Sequence, residues 1–172
     1  FTSQSKTDMK LFIDTEFDQG NQQLISLAII SECGKKFYAA RKKPVKVKDW
    51  WIKKNVLKKL KTVRLKRPEF NDLLTQFLVG FDQVEVVSDS NEDVKYFTSA
   101  LEEIGMATSL KVVFEVFNKQ KIKRKGVTVY ESALKPNALA DVEANVLTYT
   151  SWDMWRKFNA AIHACTEWKP SV

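Results

Sequence analysis

Four acidic residues stand where metal chemistry could be built. Asp14 and Glu16 lie two apart in "IDTEF". That run is rich in apolar and aromatic residues and reads as a strand, so both side chains point to one face. Strand interiors are poor in acids, and two carboxylates on one face repel unless water or a cation separates them. Hard divalent ions such as Mg2+ take oxygens of this kind. The pair alone is a weak sign, since ordinary acid frequencies supply D-x-E by chance about once in 300 positions. Asp93 opens a helical pattern in "SDSNEDVKYF". The simpler local reading there is a helix start: Ser90-x-x-Asp93 has the form of a capping box, and an acid in the first turn suits the helix dipole. Asp89, four residues earlier, reads as a turn residue or a second polar group near the site. Asp141 lies early in the last apolar run, "ALKPNALADVEANVL", where the dipole again favours an acid. The combination carries more than any member. In a mixed α/β sheet, a same-face pair on a strand and acids opening two later helices can converge at the carboxyl ends of the central strands.

The elements that must position them follow from hydrophobic period. "LFIDTEF" (11–17), "QLISLAIIS" (23–31) and "KKFYAA" (35–40) are separated by the turn signals "DQGN" and "ECGK" and predict an antiparallel meander. "VKDWWIKKNVLKKL" changes to a helical period, with Trp50, Val56 and Leu60 near one stripe and lysines opposite. A second helix is expected from about Pro68 through Phe70, Leu73, Leu74 and Phe77. A buried-type strand at 84–88 precedes a helix marked by Val94, Phe97, Leu101 and Ile104. "LKVVFEVF" (110–117) leans to strand, and a long helix starts near Asn137 with Val142, Val146 and Tyr149 as its stripe. Strands first, then helix alternating with strand, predict one α/β domain over 9–172 with a mixed central sheet flanked by helices. Phe1–Asp8, ahead of Met9, reads as a cloning remnant or a loose extension.

Composition narrows the classes further. The chain has 172 residues and a formal charge of +7, ordinary apolar content, no run of eighteen apolar residues and no signal-peptide core. A cytoplasmic protein with no membrane partner is expected. Cys33 and Cys165 stand far apart with no zinc spacing and read as buried free thiols. The positive charge is concentrated: Arg41–Arg67 holds thirteen Lys/Arg and one acid, Asp49, and "KQKIKRKG" fills 119–126. Such clusters attract polyanions, with affinity that falls as salt rises.

"FIDTEF", "SDSNEDVKYF" and "NALADVEAN", in that order, resemble the three motifs of the DEDD superfamily of 3′–5′ exonucleases, which have a ribonuclease H-like fold. The likeness is strongest to the small single-domain mycobacterial-type 3′–5′ exoribonucleases. It spans about Met9 to Phe158 and includes the "LIS" strand and the "WWIKKNVLKKL" segment. The resemblance implies that Asp14, Glu16, Asp93 and Asp141 are the catalytic carboxylates and hold two divalent cations, Mg2+ or Mn2+. Such a pair is suited to phosphodiester hydrolysis, here at the 3′ end of single-stranded RNA or DNA. Lys119, Lys121, Lys123, Arg124 and Lys125 would then hold phosphates. Phe17 could stack a terminal base, although strand aromatics are more often core. Trp50 and Trp51 invite the same idea, with one expected in the core. A homodimer fits the resemblance, but no uncovered apolar stripe in the sequence demands one.

The pattern breaks at the general base. The family's histidine subset places a His five residues before the last aspartate, and Pro136 stands there. The tyrosine subset places its base four residues before, and Asn137 stands there. Neither side chain can take a proton. His163, the one histidine, lies twenty-two residues beyond Asp141, roughly 33 Å along a continuous helix. The resemblance then leaves an enzyme slowed by loss of its base, a nucleic-acid-binding protein without hydrolysis, or a replacement from Lys135, Tyr130 or the basic loop 119–126. Lys135 is disfavoured, because carboxylates nearby would raise its pKa.

Overall fold

The computed structural model describes residues 9–42, 47, 49–132 and 135–166, with side chains through 163. The expected extension Phe1–Asp8, Ala133 and Leu134, part of the first basic run, and the Cys165 side chain lie outside the described residues. Six strands form one mixed sheet: β1 (Met9–Asp18), β2 (Gln23–Ser31), β3 (Lys36–Arg41), β4 (Arg64–Leu65), β5 (Gln83–Ser88) and β6 (Lys111–Val116). Their order across the sheet is β4-β3-β2-β1-β5-β6. The first three are the expected antiparallel meander, and β5 and β6 run parallel to β1. The central position of β1 follows from its composition. Apolar side chains on both faces allow it to be covered on both sides.

Alternation along β1 sorts those faces. Leu11 and Ile13 join Leu27, Ile29, Phe37, Val84 and Val86 in a core covered by Phe70, Leu74 and Leu78 of α1 (Arg67–Leu78) and Phe97, Ala100 and Leu101 of α2 (Asn91–Glu103). Phe12, Ala28, Ile30 and Val87 form the opposite face. They pack under Val142 and Tyr149 of α4 (Ala138–Thr166) and Ile122 of α3 (Lys119–Arg124). Period two therefore sends Asp14 and Glu16, with Phe12, toward α4. No described helix is long and apolar enough to cross a membrane.

Three expectations are corrected. The 47–60 segment forms one widened helical turn, Ile52–Leu57, that buries Ile52 and Val56 and leaves Trp50 and Trp51 66% and 53% exposed. Val56 and Leu60 of the predicted stripe stay on this small core, and Trp50 is the member turned off it. The basic 119–126 segment contains the short helix α3, seeded by Asn118, whose side chain accepts from the Lys121 N–H. Cys33 is exposed. The distal part of α4 also leaves Leu147, Met154, Phe158 and Ile162 uncovered at near-helical spacing, a stripe the sequence reading did not pick out.

Candidate metal centre

β1 ends its pairing with β5 at Phe12, and its remaining residues overhang the chain reversal after β5. Into that corner run Asp14 and Glu16 from β1, Asp89 and Asp93 from the β5–α2 junction, and Asp141 from the first turn of α4. One carboxylate oxygen each of Asp14, Glu16 and Asp141 lie within 4.8 Å of one another, and the same holds for Asp14, Asp89 and Asp93. Asp14 thus belongs to two acidic triads. All four acids predicted from sequence enter these triads, and Asp89 joins them as a fifth.

Each acid is held by a local device. Asp93 is almost fully buried. Its Oδ1 accepts from the Thr15 N–H at 3.0 Å and the Thr15 hydroxyl at 2.6 Å, and its Oδ2 accepts from the Ser88 hydroxyl at 2.7 Å. The capping box expected with Ser90 does not form. Ser90 alone caps the helix, accepting from the Glu92 N–H, while its own N–H goes to Ser88 Oγ. Asp93 is thereby released from the cap and turned to the overhanging strand. At the start of α4, Asn137 Oδ1 accepts from the Ala140 N–H and the Asn137 N–H donates to Asp141 Oδ2 at 3.2 Å. The other oxygen, Asp141 Oδ1, is buried with no hydrogen-bond partner. Asp89 pairs with Lys119 Nζ at 2.6 Å, both side chains about one-fifth exposed.

Crowding shows in the ionisation of the cluster. Burial, followed by the charges of Asp93, Asp141, Glu16 and Asp89, raises Asp14 well above the usual carboxylate range. Burial, then Asp141 and Asp93, push Glu16 up to about 8 against the pull of Lys59. Asp93 stands at about 6, raised by burial while the Thr15 and Ser88 hydrogen bonds hold it down. Asp141 is raised by burial, with the Asn137 N–H and Lys135 pulling the other way. Without a cation, burial and mutual repulsion favour protons on these carboxyls over full ionisation of the cluster. A hard divalent ion can take the place of those protons, and the all-oxygen donor set suits Mg2+ or Mn2+ better than zinc. The orphaned Asp141 Oδ1 fits the same ion, since a buried acceptor left unmet is costly.

The remaining expected residues are placed less uniformly. Phe17 follows a register shift in β1 and stacks on Tyr96 with centroids 4.5 Å apart, packed against the α1/α2 core. Lys119 is taken up by Asp89, whereas Lys121, Lys123, Arg124 and Lys125 are exposed. Pro136 carries no polar side chain. Asn137 has its amide engaged with Tyr38 Oη at 3.3 Å and the Lys59 carbonyl at 2.9 Å. Lys135 is ion-paired with Glu131, which raises its pKa and keeps it a cation. The Tyr130 backbone N–H donates to Thr148 Oγ1. His163 is exposed at the far end of the same continuous helix as Asp141.

Three further polar groups were not legible in advance. Ser26 stands directly opposite Glu16 in the β1–β2 register, fully buried, its hydroxyl unpartnered. Asn145, one turn after Asp141, is 1% exposed with both amide atoms unpartnered. Tyr38 makes the contact to Asn137 noted above. Only the i, i+4 spacing of Asn137, Asp141 and Asn145 could have signalled a polar stripe on an otherwise apolar helix. Neither a protein-family model nor a curated protein matches the chain.

Proposed function

We propose that the chain is a divalent-cation-dependent 3′–5′ exonuclease of the ribonuclease H-like class, acting on single-stranded nucleic acid, with RNA favoured by the resemblance of its motifs. The supporting observation is the pair of acidic triads that share Asp14, one of them containing the orphaned Asp141 Oδ1. The strand order β3-β2-β1-β5-β6, with the triads at the carboxyl end of β1, is compatible with that fold class.

Asp14, Glu16 and Asp141 would hold one cation and Asp14, Asp93 and Asp89 a second. Two such ions, when bound, make an attacking water available at neutral pH and offset charge on the departing 3′-oxygen. The chain's own residues do the rest. Thr15 and Ser88 fix the Asp93 carboxylate, Asn137 fixes Asp141, and Lys119 pairs with Asp89 and lowers the net charge of the five-acid cluster. Lys121, Lys123, Arg124 and Lys125 provide an exposed cationic edge for the phosphates behind the terminal nucleotide.

No side chain at Pro136 or Asn137 takes a proton. General-base assistance contributes 10²–10⁴-fold in related chemistry, so turnover is expected to be slower by about that factor. The same observation favours a second reading, a protein that binds single-stranded nucleic acid on this fold without cutting it. A time course on 5′-labelled single-stranded RNA with Mg2+, Mn2+ or EDTA, beside Asp14→Ala, separates them. A cation-dependent ladder shortening from the 3′ end, lost in Asp14→Ala, supports the exonuclease. Salt-sensitive binding with no ladder supports the binding protein.

A further inference from the structure

A hydroxyl stands beside the two positions where the base is missing. Tyr38 of β3 is in register with Ala28 of β2, and Ala28 is in register with Asp14 of β1. All three share the α4-facing side, so the phenol lies two strand spacings, about 10 Å at the backbone, from Asp14. Ala28 is fully buried and carries only a methyl group, leaving no long side chain on the strand between them. In the adjacent row Ser26, with its unpartnered hydroxyl, separates Glu16 from Ala40. The acids are close enough for Glu16 and Asp14, after burial, to oppose ionisation of the phenol.

The hydrogen bonds of Tyr38 fix what it can do. Its Oη accepts from Asn137 Nδ2, and a backbone hydrogen bond from Lys61 also acts on it. No acceptor among the described residues takes its own hydrogen. A phenol whose oxygen already receives N–H donors can act outward only as a donor. It cannot replace the base, which must accept a proton. It suits an anionic oxygen arriving beside the carboxylates with their cations, and phosphate oxygens are strong acceptors of that kind.

We propose that the Tyr38 hydroxyl donates a hydrogen bond to a non-bridging phosphate oxygen of the nucleotide held at the acidic triads, steadying the charge that grows there during hydrolysis. This rests on the exonuclease reading above and adds a substrate-contacting residue to it. No proton is transferred: the phenol remains a donor throughout.

The test compares Tyr38→Phe with the wild type in full-length protein by three readouts. These are kcat and KM on single-stranded RNA, the pH profile, and calorimetric affinity for adenosine 5′-monophosphate in Ca2+. The expected result is a kcat lower by roughly tenfold to a hundredfold, KM within about twofold, an unchanged profile shape and several-fold weaker mononucleotide binding. A folded Tyr38→Phe with wild-type kcat and mononucleotide affinity overturns the proposal and leaves the exonuclease reading intact. Loss of an ionising limb from the profile also overturns it, since that would make Tyr38 a base. A wild type that neither shortens RNA nor differs from Asp14→Ala removes the exonuclease reading and this proposal with it. If Tyr38→Phe does not fold, Asn137→Ser, which keeps a capping oxygen but removes the amide that orients the phenol, takes its place. A drop of about threefold or more in kcat at constant KM is then expected, and an unchanged kcat overturns the proposal.

Discussion

Replacing Asp14 with asparagine is expected to stabilise the cation-free protein, although it deletes a residue at the centre of the site. Asp14 lies within 4.8 Å of carboxylate oxygens from both triads. Two unit charges at that distance repel by about 3.5 kcal/mol at an effective dielectric constant near 20. Burial and these charges shift Asp14 toward its protonated form, and a carboxyl held neutral has its own cost. Holding a carboxyl of ordinary pKa 3.8 neutral near pH 7.5 takes about 1.4 kcal/mol per pH unit, or about 5 kcal/mol as an upper limit. Asparagine carries neither burden. Allowing for relaxation and for a new amide to be satisfied, the expected gain is about 2–3 kcal/mol, roughly 5–10 °C in Tm for a domain of this size.

The sign depends on pH in a defined way. A carboxyl whose folded pKa is raised stabilises the fold fully only below its unfolded pKa, and that contribution is lost as pH rises toward the folded value. The advantage of Asp14→Asn therefore shrinks as pH falls toward 4. Cations reverse the order: at about a hundred times its dissociation constant a divalent ion stabilises the wild type by about 2.7 kcal/mol, and the variant gains little. Melting curves in EDTA and in excess Mg2+ or Mn2+, at several pH values, test this. An Asp14→Asn protein less stable than wild type in EDTA near neutral pH would refute the reasoning, as would one that keeps the full cation-dependent gain.

Four other outcomes follow from the site. Lys119→Met leaves Asp89 without its ion pair and is expected to lower cation-free stability by about 1–2 kcal/mol; it also tightens Mg2+ binding, both measurable by cation-titrated melting. Asn137→Ala removes the α4 cap and its bonds to Tyr38 and Lys59, for a loss of about 2 kcal/mol in chemical denaturation. Neutralising Lys123, Arg124 and Lys125 together is expected to reduce the slope of log affinity against log salt for single-stranded RNA by about 2, and an unchanged slope would move the phosphate path elsewhere. Pro136→His is expected to raise the rate of RNA shortening by about 10²-fold or more if the carboxylates hold their cations; no gain would count against the motif alignment.

The parts of the molecule that were legible in the sequence are those set by local rules. The β1–β3 meander followed from strand-forming residue types and turn residues, and Asp14 and Glu16 shared a face because strand period leaves no choice. Asp93 was harder, because Ser90-x-x-Asp93 satisfies a capping pattern that Ser90 fulfils alone. Trp50 and Trp51 were misplaced by assuming an ordinary helical period through a turn that is widened. The Asp89–Lys119 pair and Tyr38 were invisible for a different reason. The pair needs β6 and α3 laid beside the β5–α2 junction, and Tyr38 needs the register of three strands with a small residue in the middle one. Neither arrangement leaves a trace in sequence spacing.

The hold of Asp93 on the Thr15 N–H has a practical consequence. Past Phe12, β1 has no paired residue in β5, so one carboxylate oxygen, not a neighbouring strand, shields that amide. Its exchange with deuterated solvent is therefore governed by how Asp93 is occupied. Residues such as Ile13, deep in the sheet core, exchange only when larger parts of the structure open. A single backbone amide thus reports the state of the acidic corner in a protein that has no substrate present.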